Sequence, residues 1–189
     1  MNSLKVEFNY IQLLKNNILN SNLGNKIKNV KIVLTDVDGT LTDGGMYYSS
    51  KGDTLKKFYV RDGMAVNILK RNGIFTVLIT KEKSDIVKKW AKNMNVKKIH
   101  EGVVNKEKIL PRICKEYRVK PEQIVYIGDD INDIGLMKVV GLSVAPADAW
   151  KKTRQTADFV TKATGGNGVL REVTDLILEN KNRIDKPVL

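Results

Sequence analysis

Short apolar runs recur along the chain at Val30–Leu34, Phe75–Ile79, Ile124–Ile127, Leu142–Val144 and, more weakly, Phe159–Val160, with helix-length segments between most of them. Brief runs rich in Val and Ile read as strands buried on both faces, as in a parallel sheet. The intervening segments carry apolar residues at helical spacing, such as Ala65, Ile68 and Leu69, or Ile109, Ile113 and Tyr117. This alternation predicts an α/β fold with a doubly wound, mostly parallel sheet. In such a fold ligands bind at the carboxyl ends of the strands, near a topological switch point.

Two segments break the pattern. Residues 45–50 and 54–59 alternate around Ser50-Lys51-Gly52-Asp53, which predicts a β-hairpin over about residues 45–59, inserted at the ligand-binding edge. Residues 1–28 are expected as an N-terminal helical extension with Ile11, Leu14 and Ile18 on one face. The core is expected at residues 29–180 and a frayed polar tail at 181–189. A chain of 189 residues buries enough surface to need no disulfide or metal staple. Its single cysteine, Cys114, is expected as an inert buried thiol and excludes both an internal disulfide and a thiolate metal site.

No stretch reaches the ~18–20 apolar residues of a membrane span, and Lys5 and Glu7 stand where a signal peptide needs its apolar centre. The expectation is a cytoplasmic protein with no membrane partner. Lys and Arg number 33 against 21 Asp and Glu, a net charge of +12. That excess is spread over the whole chain, and an aromatic content of 6% leaves few stacking platforms for nucleic acid. A phosphorylated small molecule is the better-matched anion.

Chemistry concentrates at two strand ends. The first apolar run leads into Thr35-Asp36-Val37-Asp38-Gly39-Thr40, and the Ile124–Ile127 run leads into Gly128-Asp129-Asp130-Ile131-Asn132-Asp133. On adjacent strands these acidic clusters meet at one point, where their mutual repulsion calls for a hard divalent cation. An all-oxygen set of Asp36, Asp38, Asp129, Asp130 and Asp133 favours Mg²⁺ over zinc. Thr80, leaving the Phe75–Ile79 strand, offers a hydroxyl and a backbone N–H to a phosphate oxygen, and Lys106 offers a balancing cation.

That order of motifs, Asp-x-Asp-Gly-Thr, strand-Thr, Lys and Gly-Asp-Asp-x-x-Asp, resembles the haloacid dehalogenase-like phosphohydrolases over about residues 30–178. More narrowly, Thr42-Asp43-Gly44-Gly45, the hairpin, Phe58–Gly63, Gly141–Ala149 and Gly165–Glu172 are similar to the 3-deoxy-D-manno-octulosonate 8-phosphate phosphatases, whose relatives act on nonulosonate 9-phosphates. The resemblance implies a Mg²⁺-dependent phosphatase with a small core and no large cap. It also implies a homotetramer in which neighbouring hairpins and tails help close each site. Asp36 would be the nucleophile that forms an aspartyl-phosphate, and Asp38 the general acid and then base. Mg²⁺ would be held by Asp36, the Asp38 carbonyl and Asp129, with Asp130 and Asp133 as further ligands or orienters. Thr80 and Lys106 would hold the phosphoryl oxygens, and Gly39, Arg61, Asp62 and Arg171 would contact substrate, the arginines gripping the sugar-acid carboxylate.

The chain departs from the family at Lys81-Glu82-Lys83, where Gly usually follows the strand threonine. Glu82 and Asn132-Asp133 resemble the nonulosonate branch, whereas Val60-Arg61-Asp62-Gly63 resembles the octulosonate branch. The expected substrate is octulosonate 8-phosphate, feeding surface polysaccharide such as lipopolysaccharide. An N-acylneuraminate (sialic acid) or KDN 9-phosphate is the alternative, and a non-catalytic tetramerising module a second one. His100 is expected as a strand-end surface residue, and Trp90 and Trp150 as packing or interface residues.

Overall fold

The apolar runs become strands whose alternate side chains feed two separate cores. The computed structural model describes residues 22–181. In chain order its elements begin with α1 (Asn22–Lys28), β1 (Ile32–Thr35), the hairpin strands β2 (Tyr47–Ser49) and β3 (Gly52–Leu55), α2 (Val60–Arg71) and β4 (Phe75–Ile79). There follow α3 (Asp85–Asn93), β5 (Lys98–His100), α4 (Leu110–Tyr117), β6 (Ile124–Ile127) and α5 (Ile134–Met137). The chain continues through β7 (Leu142–Ala145), α6 (Lys151–Thr156) and β8 (Phe159–Val160) to α7 (Val169–Asn180).

Six strands form one sheet in the order β5-β4-β1-β6-β7-β8, and every pairing is parallel. From β1 the chain first builds outward to β4 and β5, then returns to place β6, β7 and β8 on the other side. The switch point therefore lies at β1, and the crevice opens where β1, β4 and β6 end. The period of two along β1 sends Val33 to one face, with Ala65, Leu69, Val173 and Ile177. Ile32 and Leu34 go to the other, with Ile113, Leu136 and Met137. All four residues of β1 are buried, as expected for a central parallel strand.

The expected elements differ from the observed ones in four places. β5 was not among the predicted strands, because Lys98-Ile99-His100 carries a single apolar residue. The hairpin is shorter than residues 45–59, and it has no core face to extend it, since Tyr47, Tyr48 and Leu55 are all exposed. His100 is buried at 7% exposure, and is not a surface residue. Cys114 is half-buried. Of the N-terminal extension only α1 is described, with Ile27 fully buried in the core. Residues 1–21 and 182–189 lie outside the described residues. Among the described residues no large cap domain stands over the crevice, and the insertion between β1 and α2 is the hairpin.

Candidate active site

β1 ends in a buried ladder that does not stop at its last residue. The Asp36 N–H donates to the Ile127 carbonyl at 2.8 Å, which carries the β1–β6 pairing one residue further and fixes where the Asp36 carboxylate leaves the sheet. From β6 the chain turns through Gly128, where an added Cβ would lie 2.4 Å from Asp133 Cγ. Only glycine lets the Asp133 carboxylate fold back against the strand end. Gly39, at φ +87°, makes the matching space on the other loop, since a Cβ there would lie 2.0 Å from Asp129 Oδ2.

The two acidic clusters meet. One carboxylate oxygen from each of Asp36, Asp129 and Asp133 lies within 4.8 Å of the others. Asp133 is wholly buried and saturated with donors: Lys106 Nζ and the Tyr126 hydroxyl each reach Oδ1 at 2.6 Å. Its Oδ2 accepts the Asp129 and Asp130 N–H groups at 2.8 and 3.0 Å. Lys106 Nζ also reaches Asp36 Oδ1 at 2.7 Å, and its side chain is fully buried. Lys106 is thus the rigid link between the two acidic loops. Removing either end of such a buried pair strands an uncompensated charge, at a cost of ~3–5 kcal/mol.

Burial raises the Asp36 carboxyl above its ordinary value, against the opposing pull of Lys106. Asp129 is also raised, by burial and then by the charges of Asp36 and Asp133. Burial lowers the Lys106 ammonium, but its two carboxylate partners outweigh that and hold it above its usual range. One lysine does not neutralise three carboxylates at this spacing. Asp133 already has its donors, whereas the nearby oxygens of Asp36 and Asp129 fit a hard divalent cation.

Asp36, Asp38, Thr80, Lys81, Glu82, Asp129, Asp130 and Asn132 line one cleft of about 160 Å³ at the carboxyl ends of β1, β4 and β6. A larger cavity of about 360 Å³ opens at the opposite, amino ends of β1 and β4, lined by Lys28, Lys31, Tyr117 and Gln123 among others, and no carboxylate lines it. The smaller cleft holds the chemistry.

Several expected contacts fall elsewhere. Thr80 is buried and lines the cleft, but its N–H donates to the His100 carbonyl at 2.9 Å and is not open to a phosphate. The Thr80 hydroxyl accepts the Glu82 N–H at 3.2 Å. Asp130 is exposed, and its Oδ1 accepts the Ile131 N–H at 2.7 Å, capping the turn after β6. Asp62 is fully buried away from the cleft, where its Oδ1 accepts the Arg171 N–H of α7 at 2.9 Å. Burial pushes the Asp62 carboxyl up to about 6 against the lowering effect of those helix N–H groups. Its role is to satisfy a helix N-terminus, for which the Gly168 N-cap has no side chain. The Arg171 guanidinium pairs with Asp175 at 2.9 Å, one turn along α7. Arg61 is exposed, with its guanidinium 6.0 Å from the Tyr59 ring centroid. Neither arginine lines this chain's cleft.

One site residue was missed. Lys56, just beyond β3, places Nζ 2.6 Å from Asp38 Oδ1, and its side chain is only 3% exposed. Its sequence neighbourhood, Leu55-Lys56-Lys57-Phe58, reads as a solvated charge pair and carries no sign of burial.

Residues 64–173 match the sequence profile of the haloacid dehalogenase-like hydrolases. The 3-deoxy-D-manno-octulosonate 8-phosphate phosphatase KdsC of Escherichia coli K12 is 35% identical over 161 residues, covering 85% of this chain and 86% of the relative. The 3-deoxy-D-manno-octulosonate 8-phosphate phosphatase from Moraxella catarrhalis, in complex with a magnesium ion, a phosphate ion and a KDO molecule, superposes with a TM-score of 0.82 at 36% identity. That match covers 86% of this chain and 93% of the other. The same phosphatase from Yersinia pestis superposes with a TM-score of 0.85 at 33% identity, over 88% and 90% of the two chains.

Proposed function

The chain belongs to the haloacid dehalogenase-like hydrolases, and from that premise we propose that it releases phosphate from 3-deoxy-D-manno-octulosonate 8-phosphate. It is a phosphoric monoester hydrolase with Mg²⁺ as its cofactor. One observation carries the narrower reading. Asp36 is held at the end of β1 by a buried lysine and shares an open cleft with Asp38 and Asp129, in a chain 36% identical to a protein whose structure holds magnesium, phosphate and KDO.

In this reading the Asp36 carboxylate attacks phosphorus while Asp38 gives a proton to the departing sugar oxygen. Asp38 then takes a proton from the water that hydrolyses the aspartyl-phosphate. Lys106 keeps Asp36 aimed, and Asp133 keeps Lys106 in place. Mg²⁺ would be held by Asp36, the Asp38 carbonyl and Asp129, and would supply neutralisation of the charge on the transferring phosphoryl group. Thr80 borders the phosphoryl position through its hydroxyl. Met46, Tyr47, Tyr48 and Leu55 of the hairpin region are all more than half exposed, which supports a homotetramer whose hairpins close neighbouring clefts. Arg61, beside the hairpin, would then serve the cleft of another subunit.

A second reading rests on the cleft lining. Glu82 and Asn132, which resemble the nonulosonate branch, both face this cleft, so a nonulosonate 9-phosphate is the alternative substrate. Phosphate release from 3-deoxy-D-manno-octulosonate 8-phosphate and N-acetylneuraminate 9-phosphate, with Mg²⁺, with EDTA and with Asp36→Asn, separates the two. The expected result is Mg²⁺-dependent preference for the eight-carbon substrate, abolished by EDTA and by the substitution. Preference for the nine-carbon substrate selects the second reading. A folded, Mg²⁺-binding protein that turns over neither is a non-catalytic module.

A further inference from the structure

Asp38 has two unequal oxygens. Oδ1 is held by Lys56 Nζ at 2.6 Å, whereas Oδ2 is buried with no hydrogen-bond partner in the protein. A lysine with 3% of its side chain exposed is not placed to grip a substrate. It is placed to hold a carboxylate, and the segment that carries it is itself pinned. Two residues on, Phe58 bridges to Thr42 and stacks on Trp90 of α3, with ring centroids 4.5 Å apart and planes 11° apart.

We infer that Lys56 is a positioning residue, which fixes the Asp38 side chain by its Oδ1 and so sets the direction in which that carboxyl meets the cleft. The inference rests on the acid–base role read for Asp38 above. In the hydrolytic half of the reaction the water oxygen bonds to phosphorus and the bond from phosphorus to the Asp36 oxygen breaks. Its electron pair returns to the Asp36 carboxylate, and the water proton passes to the Asp38 carboxylate. A tilted Asp38 slows this half in particular, because the attack of Asp36 on an ester with a good leaving group needs no proton from Asp38.

The test is rapid-mixing kinetics of p-nitrophenyl phosphate with the Mg²⁺-loaded protein, comparing wild type with Lys56→Gln. Release of the first equivalent of nitrophenolate is expected to stay within about threefold of wild type, while later turnover falls at least about tenfold with KM little changed. Equal loss in both phases, no loss in either, or a rise in KM at constant kcat would each overturn the inference. Lys56→Gln leaves the Asp38 charge uncompensated and for that reason can fail to fold, so Asp38→Asn is also compared with Asp38→Asn combined with Lys56→Gln. Removing Lys56 should cost nothing further once Asp38 is gone, and additive losses count against the inference. A wild type with no Mg²⁺-dependent turnover of the aryl ester sinks the functional reading and this inference together. An active wild type with an unaffected Lys56 variant sinks the inference alone.

Discussion

His100 shows how one side chain ties the cleft to the solvent pH. It closes β5, its carbonyl takes the Thr80 N–H at 2.9 Å, and its Nε2 is buried without a partner. Burial, then the charge of Lys98, lowers the imidazole below its ordinary value. The folded protein therefore binds the proton less well than the unfolded chain does. The stability this contributes is present above the unfolded value of about 6.5 and drains away as the pH falls below it. The expected outcome is a smaller drop in thermal midpoint between about pH 7.5 and pH 5.5 for His100→Gln than for wild type. An equal drop in both proteins would remove His100 from the acid response.

At the level of elements, the turn before α7 seats the loop after β1. The Gly166 N–H donates to the Thr40 carbonyl at 3.0 Å, and the Thr40 hydroxyl donates to Asp129 Oδ1 at 3.3 Å. A Cβ on Gly165 would lie 2.1 Å from the Gly39 carbonyl oxygen, a backbone atom that cannot step aside. Gly165→Ala is therefore expected to destabilise the fold by ~1–3 kcal/mol and to cut phosphate release more than the loss of folded protein explains. Chemical denaturation alongside the turnover assay checks both.

The acidic strand ends could be read from the sequence because an apolar run followed by aspartates names both the element and its ligand-binding end. Thr80 could be placed for the same reason and Lys106 from the turn before a helix, but their partners could not. A lysine in a turn carries no mark of the two carboxylates it will bridge. Asp62 and Arg171 lie in motifs with charged residues near glycines, and sequence spacing does not show that the carboxylate turns inward to a helix 109 positions away. β5 escaped because an edge strand needs little apolar surface, and its residues are only half-buried before His100.

For the whole molecule, the homotetramer proposed above makes the open cleft and the uncovered hairpin two aspects of one arrangement. Tyr48 is 65% exposed and Leu55 63%, on a hairpin that leaves the core beside the entrance to the cleft. A paired substitution, Tyr48→Lys with Leu55→Glu, touches no core residue. The expected outcome is a shift in sedimentation toward the single chain, together with a raised KM for the sugar-acid phosphate. Unchanged sedimentation would place the subunit contacts elsewhere.

The bond from Asp62 to α7 also sets an order of events. Every aspartate of the cleft, from Asp36 to Asp133, precedes Gly165 in the chain. Asp62, the acceptor for α7, precedes that helix by 109 positions, and the turn that seats the loop after β1 follows every one of those aspartates. A nascent chain halted short of it carries all of its acid groups and lacks the clamp that aligns them. The loop that carries Asp38 and Gly39 is therefore seated only once the turn before α7 has been made.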